Sequence, residues 1–138
     1  MEQFAPYGHA LVSMAGVALI GLLMNPISAL RKMGQGVAPG GTPEQAYDDG
    51  TYRLNRAYLN LTEMMGLFVG CVLAAMLAGV APFWVNWLAS IFFVSRILVA
   101  IVHLAGIGPM NFGPRTMIFV VGWACCVALA VMAILAVF

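Results

Sequence analysis

The chain has 138 residues, of which 63% are hydrophobic and 8% charged, whereas an ordinary soluble domain is about 45–50% apolar and about 25% charged. This composition excludes a soluble globular monomer and a disordered tail. Six basic and five acidic residues leave a net charge of +1, so no basic surface exists that could neutralise the phosphates of a nucleic acid.

Four stretches are long enough to cross a bilayer, which takes about 20 mostly apolar residues. In chain order they cover about 9–30, 56–80, 83–106 and 115–138. The first and last have uncharged cores over residues 10–30 and 116–138. The second and third bring Glu63 and Arg96 into the membrane, at depths where a charge usually marks a function or a partner.

Short connections predict an all-α membrane protein, a single antiparallel bundle of four transmembrane helices over residues 1–138. Ala81 and Pro82 form a short turn, and Pro114 suits the first position of a helix after a Gly/Pro-rich turn over 106–113. The one long loop, 31–55, is rich in glycine but has no Gly-Lys-Ser/Thr ending. A phosphate-binding P-loop is therefore not expected.

The basic residues predict the orientation. In a four-span arrangement one side carries the Lys and Arg residues of the loops, which are Arg31, Lys32, Arg53, Arg56 and Arg115. The positive-inside rule makes this side cytoplasmic, with both termini on the other side. The segment before the first span contains Glu2 and no basic residue, so that span is expected to be permanent and not a cleaved signal peptide. We expect a multi-pass integral membrane protein, in the inner or plasma membrane if the source is bacterial.

A polar stripe opens the second span. Arg56, Asn60 and Glu63 are spaced i, i+4 and i+7, which places them on one helix face, and Arg53 continues this stripe one turn earlier. We expect the face to turn inward, because an unsatisfied amide or carboxylate in lipid costs several kcal/mol. Within the same span Gly66 and Gly70 form a GxxxG motif, which supports self-association only weakly.

The third span carries Arg96 and His103, seven residues apart on one face. Glu63 and Arg96 lie at similar depth, roughly 10–15 Å at about 1.5 Å per residue, and we predict that they form an ion pair. This ion pair could serve a function or be purely structural, and the sequence leaves both open. His103 has no second histidine nearby, because His9 is at the opposite end of the bundle, so metal binding is not expected.

Arg115 and Thr116 stand at the start of the fourth helix, where free N–H groups and the helix dipole favour an anion. An arginine that only fixes topology is the alternative. Together with Arg31 or Lys32, Arg53 and Arg56, and with Asn60 and Glu63 deeper, Arg115 would suit a small polyanion that also carries an amine. Glutathione has this form, although composition alone does not name it.

At these residues the sequence resembles the MAPEG family, the membrane-associated proteins in eicosanoid and glutathione metabolism, and within it the microsomal glutathione transferases. The match covers nearly the whole chain as architecture. Its specific part is Arg56-Ala-Tyr-Leu-Asn60-Leu-Thr-Glu63, which fits the helix-two pattern of the family. Arg96 fits the arginine of helix three, and Arg115 fits the arginine near the start of helix four.

The resemblance implies a homotrimer that binds glutathione at subunit interfaces near the cytoplasmic face. The catalytic residues would be Arg115, which stabilises the thiolate, and Thr116, which assists it. The residues that bind glutathione or support its site would be Arg31, Arg53, Arg56, Asn60, Glu63, Arg96 and His103. Arg96 would support Glu63, and His103 stands where several members carry a tyrosine.

The implied function is a glutathione-dependent membrane transferase or peroxidase that acts in detoxification on a lipophilic substrate entering from the membrane lipid. One alternative is a binding or structural member of the same fold without turnover. Another is a small proton-coupled transporter that uses Glu63. The sequence does not identify the second substrate.

Overall fold

The computed structural model describes residues 2–109 and 112–138. A 3-10 helix over Glu2–Tyr7 leads into four α-helices: α1 (Gly8–Gly34), α2 (Gly50–Leu77), α3 (Pro82–Ala105) and α4 (Pro114–Val137). All four are long and apolar enough to cross a membrane. The predicted all-α bundle of four helices is confirmed. In the predicted turn over 106–113, positions 110 and 111 lie outside the described residues.

The helix ends follow from local chemistry. Pro82 and Pro114 begin α3 and α4, where a missing N–H costs nothing because the first helical N–H has no intrahelical partner. Gly106 ends α3 in the left-handed conformation, with φ of 67°, which favours glycine. Asp49 caps α2, which begins six residues before the predicted span, and its side chain accepts a hydrogen bond from the Thr51 N–H at 3.0 Å.

The helices α2 and α3 form the centre of the bundle, because each of them contacts the other three helices. Fully buried Phe68 and Phe92 stack between α2 and α3 with ring centroids 3.9 Å apart. Between α3 and α4, a Cβ built on Gly122 would lie 2.6 Å from Arg96 Nη2. A glycine is therefore what allows α4 to pass this buried side chain.

The outer faces of the helices carry exposed apolar side chains, among them Leu22, Leu77 and Leu135, as expected for faces that meet lipid tails. Gly66 and Gly70 also face open space, with no atom within 4 Å of a Cβ built on either one. Their GxxxG motif therefore makes no helix contact within the described part of this chain.

The two ends of the bundle differ in character. At one end Asn86 joins the N-terminal segment to α3, because it donates to the Pro6 carbonyl at 2.7 Å and accepts from the Ala10 N–H at 3.0 Å. At the other end, here called the loop end, lie the connector over residues 35–49 and the start of α4. The polar residues of the candidate site gather at the loop end.

Candidate functional site

A cavity of about 740 Å³ opens at the loop end, between α2, α3, α4 and the connector. Five of the nine site residues predicted from the sequence line it: Arg56, Asn60, His103, Arg115 and Thr116. They come from three helices. The cavity therefore brings together side chains that are as many as 60 positions apart in the chain.

Arg53 and Arg31, also predicted for the site, are not among the lining residues. The Arg53 guanidinium donates to the carbonyls of Tyr47 and Asp48 at 2.9 and 2.8 Å and to that of Leu104 at 3.3 Å. It thus ties the connector to the end of α3. Arg31 is exposed.

Lys32, the alternative to Arg31, has a different environment. It is 6% exposed, and its Nζ donates to the Gly41 carbonyl at 3.1 Å. This contact joins the end of α1 to the connector. The Lys32 ammonium is therefore bound to the backbone of the chain and does not point to a ligand.

The predicted ion pair between Glu63 and Arg96 is wrong. Glu63 Oε1 lies 3.9 Å from Nη1 of Arg56 on the same helix, and these two side chains are 59% and 41% exposed. The stripe on α2 therefore lies at the edge of the bundle, and only part of it turns inward as expected. Glu63 and Arg96 were paired because they lie at similar depth in the bilayer. Depth does not show in which direction around its helix axis each side chain points.

Arg96 instead turns toward α4 and is 2% exposed. Its guanidinium donates to the Phe119 carbonyl at 3.1 Å and to Asn60 Oδ1 at 3.4 Å. It also lies 5.0 and 4.8 Å from the ring centroids of Phe92 and Phe119. Arg96 does not line the cavity, but it donates a hydrogen bond to the side chain of Asn60, which does.

The cavity is electropositive. Arg56 and Arg115 line it from two helices, and its described lining contains no Asp or Glu. Amide and hydroxyl groups surround the two cations, from Asn55, Asn60 and Thr116 among others. Such a wall can bind a small anion through charge and hydrogen bonds together.

The start of α4 contributes less backbone to this site than the sequence suggested. The Thr116 N–H donates to the Gly113 carbonyl at 2.9 Å, so it is already used within the first turn. The positive end of the helix dipole remains, together with the side chains of Arg115 and Thr116.

Two buried polar atoms of lining residues have no hydrogen-bond partner among the described residues, Tyr47 Oη and His103 Nδ1. His103 is 8% exposed. Buried polar groups are nearly always paired, so both side chains can gain a partner when they adjust to a bound ligand or water. Where the structure describes the chain, it has no group of three or more His, Cys, Asp or Glu placed to hold a metal ion.

Sequence reasoning missed several lining residues. Tyr52 and Asn55 lie on the same face of α2 as Arg56, at helical spacing, and line the cavity with it. A predicted start of α2 before residue 52 would have included both. Tyr47 in the connector has no periodic signal. Its ring lies over the Arg115 guanidinium, with 4.8 Å between ring centroid and Cζ.

The connector is also fixed at its end by Asp49. The hydrogen bonds from the Thr51 N–H and from Gln35, the latter at 3.0 Å, hold the pKa of the Asp49 carboxyl below its usual value. At neutral pH this carboxylate is therefore charged, and it joins the end of α1 to the start of α2.

Comparison with curated proteins and with solved structures gave no match. A family model gave one. The model of the MAPEG family matches residues 10–135, nearly the whole chain and including every site residue discussed above, so this protein belongs to the MAPEG family.

Proposed function

We propose that this protein is a glutathione-dependent membrane transferase or peroxidase, which binds glutathione in the cavity at the loop end. Membership in the MAPEG family supports a membrane function related to glutathione in general. The family also includes members without catalysis. The choice of an enzyme therefore depends on what the cavity can do.

The observation that carries the proposal is the pair of arginines, Arg56 and Arg115, in one cavity without an acidic lining residue among those described. Glutathione has two carboxylates, one ammonium and a thiol, so it needs two or more cationic or hydrogen-bonding partners and one acidic partner. Glu63, beside Arg56 at the edge, can supply the acidic one. The volume of about 740 Å³ lies within the range of about 300–1,000 Å³ usual for ligand sites.

In this arrangement Arg56 and Asn60 hold carboxylate and amide groups of glutathione, and Arg96 orients Asn60. Arg115 holds the sulfur. An ordinary thiol has a pKa near 8.5, and lowering it by about two units, at about 1.36 kcal/mol per unit, makes the thiolate dominant at neutral pH. A guanidinium at the positive end of α4 supplies stabilisation of this kind.

The thiolate can then react in two ways. In transfer, its sulfur forms a bond to an electrophilic carbon of a lipophilic substrate, and the leaving group or the opened epoxide oxygen takes the electron pair. In peroxide reduction, sulfur attacks the outer oxygen and releases an alcohol, and a second glutathione thiol converts the sulfenic acid to the disulfide and water. The substrate would enter from the bilayer.

We also propose the homotrimer that the family resemblance implies. Arg56 and Glu63 are about half exposed on a membrane-spanning helix, where charges facing lipid are costly. A neighbouring subunit would cover them. Glu63 is 59% exposed and is not among the residues that line the cavity, which weighs against a proton-coupled transporter that uses this carboxylate at its substrate site.

Calorimetric titration of the purified protein with glutathione tests the proposal, and ultraviolet difference absorbance reports the bound thiolate. Arg115→Ala should remove the thiolate absorbance, whereas the control Glu2→Ala changes an exposed charged residue at the opposite end of the bundle and should keep it. Wild-type protein that binds no glutathione would refute the proposal.

Turnover of an aryl halide, an epoxide or a hydroperoxide then separates the enzyme from a binding protein. Wild-type protein that binds glutathione but converts none of these acceptors would favour the alternative without catalysis.

A further inference from the structure

We infer that Tyr47 of the connector is a positioning residue of this site: its ring holds the Arg115 guanidinium, and its hydroxyl is a further contact for the bound ligand. This inference rests on the proposed function. It concerns a residue outside the transmembrane helices, in a segment without any recognisable motif.

The backbone of Tyr47 is firmly held. Its carbonyl accepts a hydrogen bond from Arg53 Nη1 at 2.9 Å, and the same Nη1 donates to the Asp48 carbonyl. The Asp49 N–H donates to the Ala46 carbonyl at 3.0 Å, and Asp49 caps α2. Tyr47 is therefore placed by the Arg53 side chain of α2 and by a turn that ends at the cap of α2, although it belongs to a loop.

The ring of Tyr47 faces the cation that the site needs most. It lies 4.8 Å from Arg115 Cζ, within the distance at which an aromatic face attracts a guanidinium. Among the described residues Arg115 has no carboxylate within salt-bridge distance. An aromatic face can fix the direction of the guanidinium without neutralising it, which leaves its full charge for an anionic sulfur.

The hydroxyl of Tyr47 is buried and has no partner among the described residues, and Tyr47 lines the cavity. A buried hydroxyl that lacks a partner is uncommon in folded proteins. Tyr47 lines the same cavity as Arg115, so a small shift of its phenol on ligand binding would bring this hydroxyl to a ligand held by Arg115. The phenol O–H then donates to the anion.

Two variants separate the roles of ring and hydroxyl. Tyr47→Phe keeps the ring and should weaken glutathione binding about 5–10-fold, the usual effect of losing one hydrogen bond, while the pH titration of the thiolate absorbance moves little. Tyr47→Leu removes the ring as well and should raise the pKa of the bound thiol by about 0.5–1 unit. Because a purely structural role would not move this titration, it tests positioning directly.

Tyr58→Phe is the matched control, because it also removes a tyrosine hydroxyl. The Tyr58 hydroxyl accepts a hydrogen bond from Asn25, and Tyr58 does not line the cavity. This variant should bind glutathione as wild type does. Thermal melting of each variant shows whether it folds.

If Tyr47→Phe binds as tightly as wild type, the hydroxyl contact is refuted, and if Tyr47→Leu titrates as wild type does, the positioning role is refuted. Either result leaves the proposed function standing. Wild-type protein that binds no glutathione instead overturns the proposed function, and this inference with it.

Discussion

Gly122→Ala should destabilise the bundle by about 1–3 kcal/mol, the usual cost of inserting a carbon into a tightly packed interior. The new Cβ would lie 2.6 Å from Arg96 Nη2 and 3.3 Å from its Cζ, and closer still to Ser95 Oγ. Since carbon and nitrogen normally stay about 3.5 Å apart, α3 and α4 must separate by close to 1 Å. Arg96 cannot retreat easily, because the Phe119 carbonyl and two aromatic rings hold it.

In water, alanine would regain up to about 1 kcal/mol through its helix propensity. Within a bilayer this gain is largely absent, because the backbone of a spanning segment stays helical whether or not the helices are packed. The packing cost therefore decides whether Gly122→Ala stabilises or destabilises the bundle.

Titration with a denaturing detergent in mixed micelles measures the difference. Gly66→Ala and Gly70→Ala are matched controls, since a Cβ at either position meets no atom within 4 Å; both should unfold as wild type does. Ser95→Ala added to Gly122→Ala removes the nearest atom and should recover part of the loss relative to Ser95→Ala alone. Equal stability of Gly122→Ala and wild type would refute the reasoning about close approach.

Three further predictions concern the two ends of the bundle. The pKa of the Asp49 carboxyl is lowered in the folded protein. The stabilisation by this carboxylate should therefore be complete above its unfolded pKa of about 3.9 and should disappear as the pH falls through the lower folded pKa. Hydrogen exchange of the Thr51 amide should show this loss of protection, and Asp49→Ala should lack the protection at every pH. His103→Phe should leave the melting temperature nearly unchanged, because Nδ1 has no partner among the described residues to lose, but should weaken glutathione binding in calorimetry; unchanged affinity would argue against a ligand contact. Asn86→Ala removes two backbone contacts at the start of α1 and should cost about 1–3 kcal/mol without changing glutathione affinity, whereas a large change in affinity would show that the two ends are coupled.

The helices were predictable because lipid imposes a length and an apolar composition on every span. Helical spacing also placed Arg56 and Asn60 on one face, and both line the cavity. The same spacing included Arg53 and Glu63, which the structure uses differently. Periodicity gives the face of a helix but does not show how far the face is rotated toward its neighbours.

The sequence by itself determined a four-helix membrane bundle with a cluster of cations at one end, because charges are so scarce in this chain that each one is visible. Only the tertiary structure decided their partners. Arg96 contacts the Phe119 carbonyl and the rings of Phe92 and Phe119 and not Glu63, and Tyr47 lies over Arg115. Packing sets both arrangements, because it fixes the rotation of each helix about its axis and the path of the connector. Contacts between distant segments leave no periodic signal in the chain.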